Sequence, residues 1–224
     1  NLSLNPSLKK RLANSSTSAW GRNLDLSPLQ RDAITELLNI GVGRAAAALS
    51  DMVEQEVELT VPHLEFVTFD GVQAHLEAQF GEEITVLRQR FVGEFWGDAL
   101  LLIPKRRSMA LVREVMRDTL PLDSLGALEQ EALLEIGNVI LNACVGGMAN
   151  AFGEEITVEL PDYIETDASL SFATPEDVNG GVMLLKMDFR IQGRDIRGFL
   201  AFLLDMESLD SFLILVERFL GVES

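Results

Sequence analysis

Two different periods govern the order of apolar and polar residues along this chain. From Pro28 onward, Ile34, Leu37, Leu38, Gly41, Ala45, Ala48, Leu49 and Met52 recur at about 100° per residue, which predicts one long helix with a buried face. Its start is written in Ser27-Pro28-Leu29-Gln30, a capping serine, a proline at the first helical position and a glutamine three residues past the cap. Over residues 56–62 the period falls to two. Val57, Leu59 and Val61 alternate with Glu58 and Thr60, which predicts a strand ending at Pro62. Strands are also expected over 72–80, 83–92 and 95–103, then a short helix over 106–117 that halts before Pro121.

The same order then begins again. A second long helix is expected over 125–152, with Asp123 and Ser124 as capping candidates. Ile156, Val158 and Leu160 alternate with Thr157 and Glu159 up to Pro161, strands follow over 182–191 and 195–204, and a helix over 206–220 closes the pattern. Glu36 and Glu135 are 99 residues apart, and so are Asn39 and Asn138, Glu56 and Glu155, and Pro62 and Pro161. One offset held at four positions without a gap points to an internal duplication. Hairpin-length links favour antiparallel pairing, so the expected fold is α+β: a largely antiparallel sheet flanked by helices, with a pseudo-two-fold axis between two repeats, residues 24–121 and 122–224. Residues 1–23 are rich in Asn and Ser and read as a tail or linker. A duplicated chain can bury within itself what a homodimer buries between protomers, which makes a monomer plausible without settling the oligomeric state.

Composition narrows the partners. Hydrophobic residues make up 47% and charged residues 24%, which sets disorder aside. Eighteen basic against thirty-five acidic residues leave a net charge of −17, a surface that repels nucleic-acid phosphates and anionic lipid. Uninterrupted apolar runs such as residues 199–204 fall far short of the roughly eighteen that a membrane span needs. The single cysteine, Cys144, forms no internal disulfide and suits a reducing, cytoplasmic setting.

Candidate chemistry lies on the polar side of each long helix. With Asp32 at zero on a helical wheel, Glu36 falls near 40° and Asn39 near 340°, and Gly43 and Ser50 continue the strip, flanked by Ala46 and Ala47. The large apolar residues are expected on the far side. This leaves a flat, small-residue surface against which another protein can lie. The second helix repeats the strip with Glu131, Glu135 and Asn138, followed by Asn142 and Ala149. Other chemistry is scarce. The two histidines, His63 and His75, fall in or beside expected strands, which argues against a His-based triad or a metal cluster. Gly41-Val42-Gly43 sits inside a helical pattern with no following lysine, so it is no phosphate loop. Gly146-Gly147 suits close packing or a kink, and Cys144 faces the apolar side as a small buried hydrophobe.

The segments ELLNIGVGRAAAALSDMV and LEIGNVILNACVGGMANAF resemble the two signature helices of the CheC-type chemotaxis phosphatases, the CheC/CheX/FliY group. That motif is Asp or Ser, three residues, Glu, two residues, Asn, and a proline about 22 intervening residues on. Asp32, Glu36, Asn39 and Pro62 match it in full; Glu135, Asn138 and Pro161 match the second copy, where Glu131 replaces the Asp or Ser. The resemblance implies a six-stranded antiparallel sheet flanked by helices and dephosphorylation of a CheY-like response regulator. Asn39 and Asn138 are then cast as positioning the attacking water, and Glu36 and Glu135 as pairing with the regulator's lysine. Asp32, Glu131, Gly43, Pro62 and Pro161 complete the binding surface. The Mg²⁺ belongs to the regulator, and the chain needs no cofactor or metal of its own. The first site, with its full match, is expected to be the stronger. The alternative is a non-catalytic module that binds a response regulator or a CheD-like deamidase in chemotaxis or flagellar-switch signalling.

Overall fold

The computed structural model describes residues 26–67, 83–115, 125–166, 181–191 and 194–222. The tail over 1–23, the strand expected over 72–80, His75, and the caps Asp123 and Ser124 lie outside them. In chain order the elements are α1 (Pro28–Val53), β1 (Val57–Val67), β2 (Ile84–Val92), β3 (Gly97–Pro104), α2 (Lys105–Val115), α3 (Leu125–Phe152), β4 (Thr157–Val158), β5 (Asp162–Thr166), β6 (Gly181–Ile191), β7 (Arg194–Leu204) and α4 (Met206–Phe219).

The sequence signals that start α1 act as expected. Ser27 Oγ accepts from the Gln30 N–H at 3.2 Å while Gln30 Oε1 accepts from the Ser27 N–H at 2.9 Å, a reciprocal capping box. The helix stops where Glu54 turns left-handed (φ 53°) and donates its N–H to the Ser50 carbonyl. Ninety-nine residues on, Gly153 takes the same turn (φ 72°) just after α3.

All pairings in the sheet are antiparallel. The order is β1-β6-β7-β3-β2, and β4 and β5 both lie along the outer edge of β2. Among the described residues seven strands therefore fill six positions, the last one being divided in two. The halves interlock. β1 pairs with the β6–β7 hairpin and β4–β5 with the β2–β3 hairpin, while β3 and β7 meet in the middle. Each half thus completes the other's sheet.

Strand alternation separates two apolar layers. Leu87, Phe91, Leu101, Leu185 and Phe202 face the main core with α1, α3 and α4, whereas Ile84, Val86, Leu100, Leu184 and Phe199 form a second cluster on the opposite face. At the centre of the helical layer α1 and α3 cross in close contact. A Cβ on Gly41 would lie 2.9 Å from the Ala143 carbonyl oxygen, and Gly147 comes within 3.1 Å of the Gly41 Cα by the same measure. Gly147 thus permits the close packing expected of it, while Gly146 borders open space.

Several expectations need correcting. β1 does not end at Pro62 but runs on to Val67. The buried stripe of α1 is narrower than its apolar pattern: Met52 is 41% exposed and Ala48 is exposed, because the neighbouring elements cover only part of that face. In the alternation before Pro161 only Ile156 packs against the core, half-buried, while Val158 is exposed and Leu160 is 83% exposed. Run length also misled for α3. Leu128–Phe152 is long and apolar enough to cross a membrane by length and composition, yet more than half of it is buried inside the fold.

Candidate functional site

The first site is built by a defect in β1. Thr60 pairs with Asp188 and His63 with Lys186, so Val61 and Pro62 together oppose Met187. Proline has no N–H to give the ladder, and the extra residue makes a bulge that redirects its neighbours. The Val61 N–H turns toward α1 and donates to Asn39 Oδ1 at 3.2 Å. The interval between the motif's Asn and its Pro therefore has a physical cause, because the proline sits where it frees the N–H that holds the asparagine. Only a carbonyl oxygen can accept that bond, so the amide is fixed with Oδ1 inward, and its NH₂ remains as the free donor.

Around Asn39 the rest of the strip lies as expected. Asp32, Glu36 and Gly43 are exposed, Asn39 is half-buried, and a Cβ at Gly43 would meet nothing within 4 Å. Ser50 serves the fold instead. Its Oγ donates to the Ala46 carbonyl at 2.7 Å and accepts from the Val57 N–H at 2.9 Å, fixing the turn into β1. Arg31 holds the other end, its guanidinium donating to the Leu64 carbonyl at 2.9 Å.

The second site repeats the side chains but not their support. Glu131 and Glu135 are exposed and Asn138 is half-buried. Glu159, Leu160 and Pro161 break the edge strand between β4 and β5, and Leu160, the counterpart of Val61, points outward. Asn138 Oδ1 accepts instead from Asn142 Nδ2 at 2.8 Å and Gln89 Nε2 at 3.3 Å. Gln89 also donates to Asn142 Oδ1 at 3.1 Å and to the Glu159 carbonyl at 2.8 Å. Gly137 allows this contact, since α3 lies so close on β2 that a Cβ there would come within 2.5 Å of Leu87 Cδ1.

Sequence reasoning missed Gln89, although a signal was present. In ITVLRQRFV the residues of core parity are Thr85, Leu87, Gln89 and Phe91, and a glutamine between Leu87 and Phe91 interrupts an apolar face. Cys144 behaves as expected, fully buried, and burial pushes its thiol up to about 12, so it is no nucleophile. His63 is exposed and bonded to Glu65 at 2.8 Å. Among the described residues no group of three or more His, Cys, Asp or Glu side chains is placed to hold a metal ion. What the strips offer chemically is an exposed carboxylate one helical turn from an oriented amide donor, twice.

A CheC-like family model matches residues 29–65, from the first turn of α1 through the bulge of β1. The chain is also similar to the flagellar motor switch phosphatase FliY of Bacillus subtilis (strain 168), 26% identical over 171 residues, 75% of this chain and 44% of that protein. To the CheY-P phosphatase CheC of the same organism it is 22% identical over 138 residues, 59% of this chain and 65% of that one. It thus spans less than two thirds of either relative. Its fold is shared with Thermotoga maritima FliY (TM-score 0.72, 18% identity, 89% of this chain and all of that one). The chain is thus similar to the CheC-type family, in sequence most clearly over α1 and β1 and in fold along most of its length. The CheC-type fold extends to the FliM middle domain of H. pylori (TM-score 0.56, 12% identity, 85% of this chain and 99% of that one).

Proposed function

We propose that this CheC-type protein hydrolyses the aspartyl phosphate of a CheY-like response regulator in the cytoplasm. The observation that carries the reading is the pair of half-buried asparagines, Asn39 and Asn138, each with its amide oxygen tied inward. The printed descriptions of two relatives, a motor switch phosphatase and a CheY-P phosphatase, point the same way.

An acyl phosphate is already reactive, so a helper needs no nucleophile of its own. Water attacks phosphorus, the bond to the aspartate oxygen breaks, and inorganic phosphate leaves. The outward N–H groups of Asn39 or Asn138 hold the water oxygen in line, while Mg²⁺ and a lysine come from the regulator. Glu36 and Glu135 pair with that lysine to set register, and Asp32, Glu131 and the open surface at Gly43 receive the regulator's backbone. Pro62 acts through Val61 rather than by touching the substrate.

The test is phosphate release from a phosphorylated CheY-like regulator with Mg²⁺. The chain accelerates release, and Asn39→Ala with Asn138→Ala lowers kcat about a hundredfold while binding persists. Asn39→Ala alone costs more than Asn138→Ala, because Glu131 is longer than the Asp or Ser of the motif and crowds the docked regulator. No acceleration at saturating protein overturns the phosphatase reading. Tight binding of a regulator or a CheD-like deamidase without turnover favours a non-catalytic module, a reading that the shared FliM fold keeps in view.

A further inference from the structure

We propose that Gln89 and Asn142 are positioning residues for Asn138, a side-chain relay that does for the second site what the Val61 N–H does for the first. The proposal rests on the phosphatase reading above. Ile84, Val86, Leu87 and Phe91 of β2 correspond to Val182, Leu184, Leu185 and Phe189 of β6, each 98 residues on and each in the same apolar layer. By that correspondence Gln89 matches Met187, which opposes the β1 bulge. An unbranched apolar side chain of similar length therefore fills this place in the first half. The second half buries an amide there instead, and Gln89 Oε1 has no hydrogen-bond partner. A buried orphan acceptor destabilises the fold, so packing alone does not account for the glutamine.

Counting donors shows what the amide does. The NH₂ of Gln89 has two hydrogens; one goes to the Glu159 carbonyl at 2.8 Å and the other lies between Asn142 Oδ1 and Asn138 Oδ1. Asn142 Nδ2 adds its own bond to Asn138 Oδ1. Turning the Asn138 amide over would set its NH₂ against both of these donors. The relay thus holds the oxygen inward and the NH₂ toward the docking face. Asn142 takes the place of Gly43 on the strip, 99 residues on, so one residue of the relay stands on the surface that the first site leaves bare.

The experiment uses the full chain carrying Asn39→Ala, so that turnover of a phosphorylated CheY-like regulator passes through Asn138. Adding Asn142→Ala, or separately Gln89→Met, lowers kcat about tenfold with KM changed less than about twofold. Asn142→Ala melts no lower than its parent, since alanine is the better helix former, and it carries the test if Gln89→Met does not fold. Unchanged kcat in Asn142→Ala overturns the relay, and so does a loss that appears wholly in KM. If Asn39→Ala by itself abolishes turnover, the relay is refuted while the phosphatase reading survives at the first site. If the unaltered chain shows no turnover, both fall.

Discussion

The two halves present the same Glu and Asn to solvent but hold the asparagine by different means. In the first half a backbone N–H does it, released by a proline bulge in a strand that otherwise continues to Val67. In the second half the corresponding strand is broken, its apolar residue Leu160 faces outward, and two side-chain amides supply the donors. What is common to both is the outcome, with Oδ1 inward and Nδ2 outward. Two unlike supports giving one orientation suggest that the orientation, rather than the local framework, is the functional quantity. The backbone support is also the more robust, because no substitution at Val61 other than proline removes its N–H, whereas single changes at Gln89 or Asn142 dismantle the relay.

Both sites share one frame, the crossing of α1 and α3, and breaking it gives the largest stability effect expected. Gly41→Ala places a Cβ 2.9 Å from both the Ala143 carbonyl oxygen and the Cys144 Cα, backbone atoms that cannot step aside. The helices must separate, at a cost of about 2 kcal/mol, and urea denaturation reads it as a lower midpoint with an unchanged slope. Gly43→Ala, half a turn away, is the control. Its Cβ meets nothing within 4 Å, so helix propensity raises stability by up to about 1 kcal/mol. Equal losses for the two substitutions would mean that the crossing is looser than it stands here. A Gly43→Ala protein that is more stable but slower would assign the bare surface to docking.

Helix faces and strand parity made much of this legible in the sequence. The capping box at Ser27, the two long helices, the duplicated order and the exposed carboxylates Asp32, Glu36, Glu131 and Glu135 are local properties, set by propensity and period. The supports of the asparagines were not legible, because they depend on partners far along the chain: Val61 is 22 residues from Asn39, and Gln89 is 49 residues from Asn138. The interlocked pairing of β1 with β6 and of β5 with β2 is likewise non-local. Ala48 and Met52 misled for a related reason, since periodicity says which residues share a face but not how far a neighbouring element covers it.

The sheet edges differ as well, and acid separates them. At the β5 edge Lys105 Nζ reaches Glu165 at 3.0 Å and Glu83 at 3.1 Å, and Tyr163 donates to Glu165 at 2.6 Å. At the β1 edge Glu58 pairs with Arg190 of the neighbouring strand β6. The Tyr163 hydroxyl, and after it the Lys105 ammonium, hold the Glu165 carboxyl below its ordinary value of 4.5. A carboxylate with a depressed folded value stabilises the fold above its unfolded value and loses that contribution as pH falls through the folded one. Glu165→Gln is therefore less stable than the parent at pH 6, and the gap closes as pH falls from 4.5 through the lower folded value. Because both partners are partly exposed, the difference is small, readable as a convergence of urea midpoints. A gap that does not narrow as pH falls below 4.5 would assign the loss to packing against Tyr163 instead.

The smallest effect lies at the helix ends, where the halves chose different residues for one turn. Gly153 adopts φ 72° after α3 without strain, whereas Glu54 is held at φ 53° after α1. An L-residue in the left-handed region costs about 1 kcal/mol, and glycine there gives back part of the gain through its freer unfolded chain. Glu54→Gly should therefore stabilise by about 0.5 kcal/mol, a melting temperature about 1–2 °C higher for a chain of this size. The bond from the residue-54 N–H to the Ser50 carbonyl is backbone and survives the change, so the turn into β1, and with it the Val61 donor, stays in place. Turnover at the first site is then unaltered while stability rises. A lower melting temperature would mean that the Glu54 side chain contributes more than its strained backbone costs, and that the two helix ends, alike in geometry, are held by different forces.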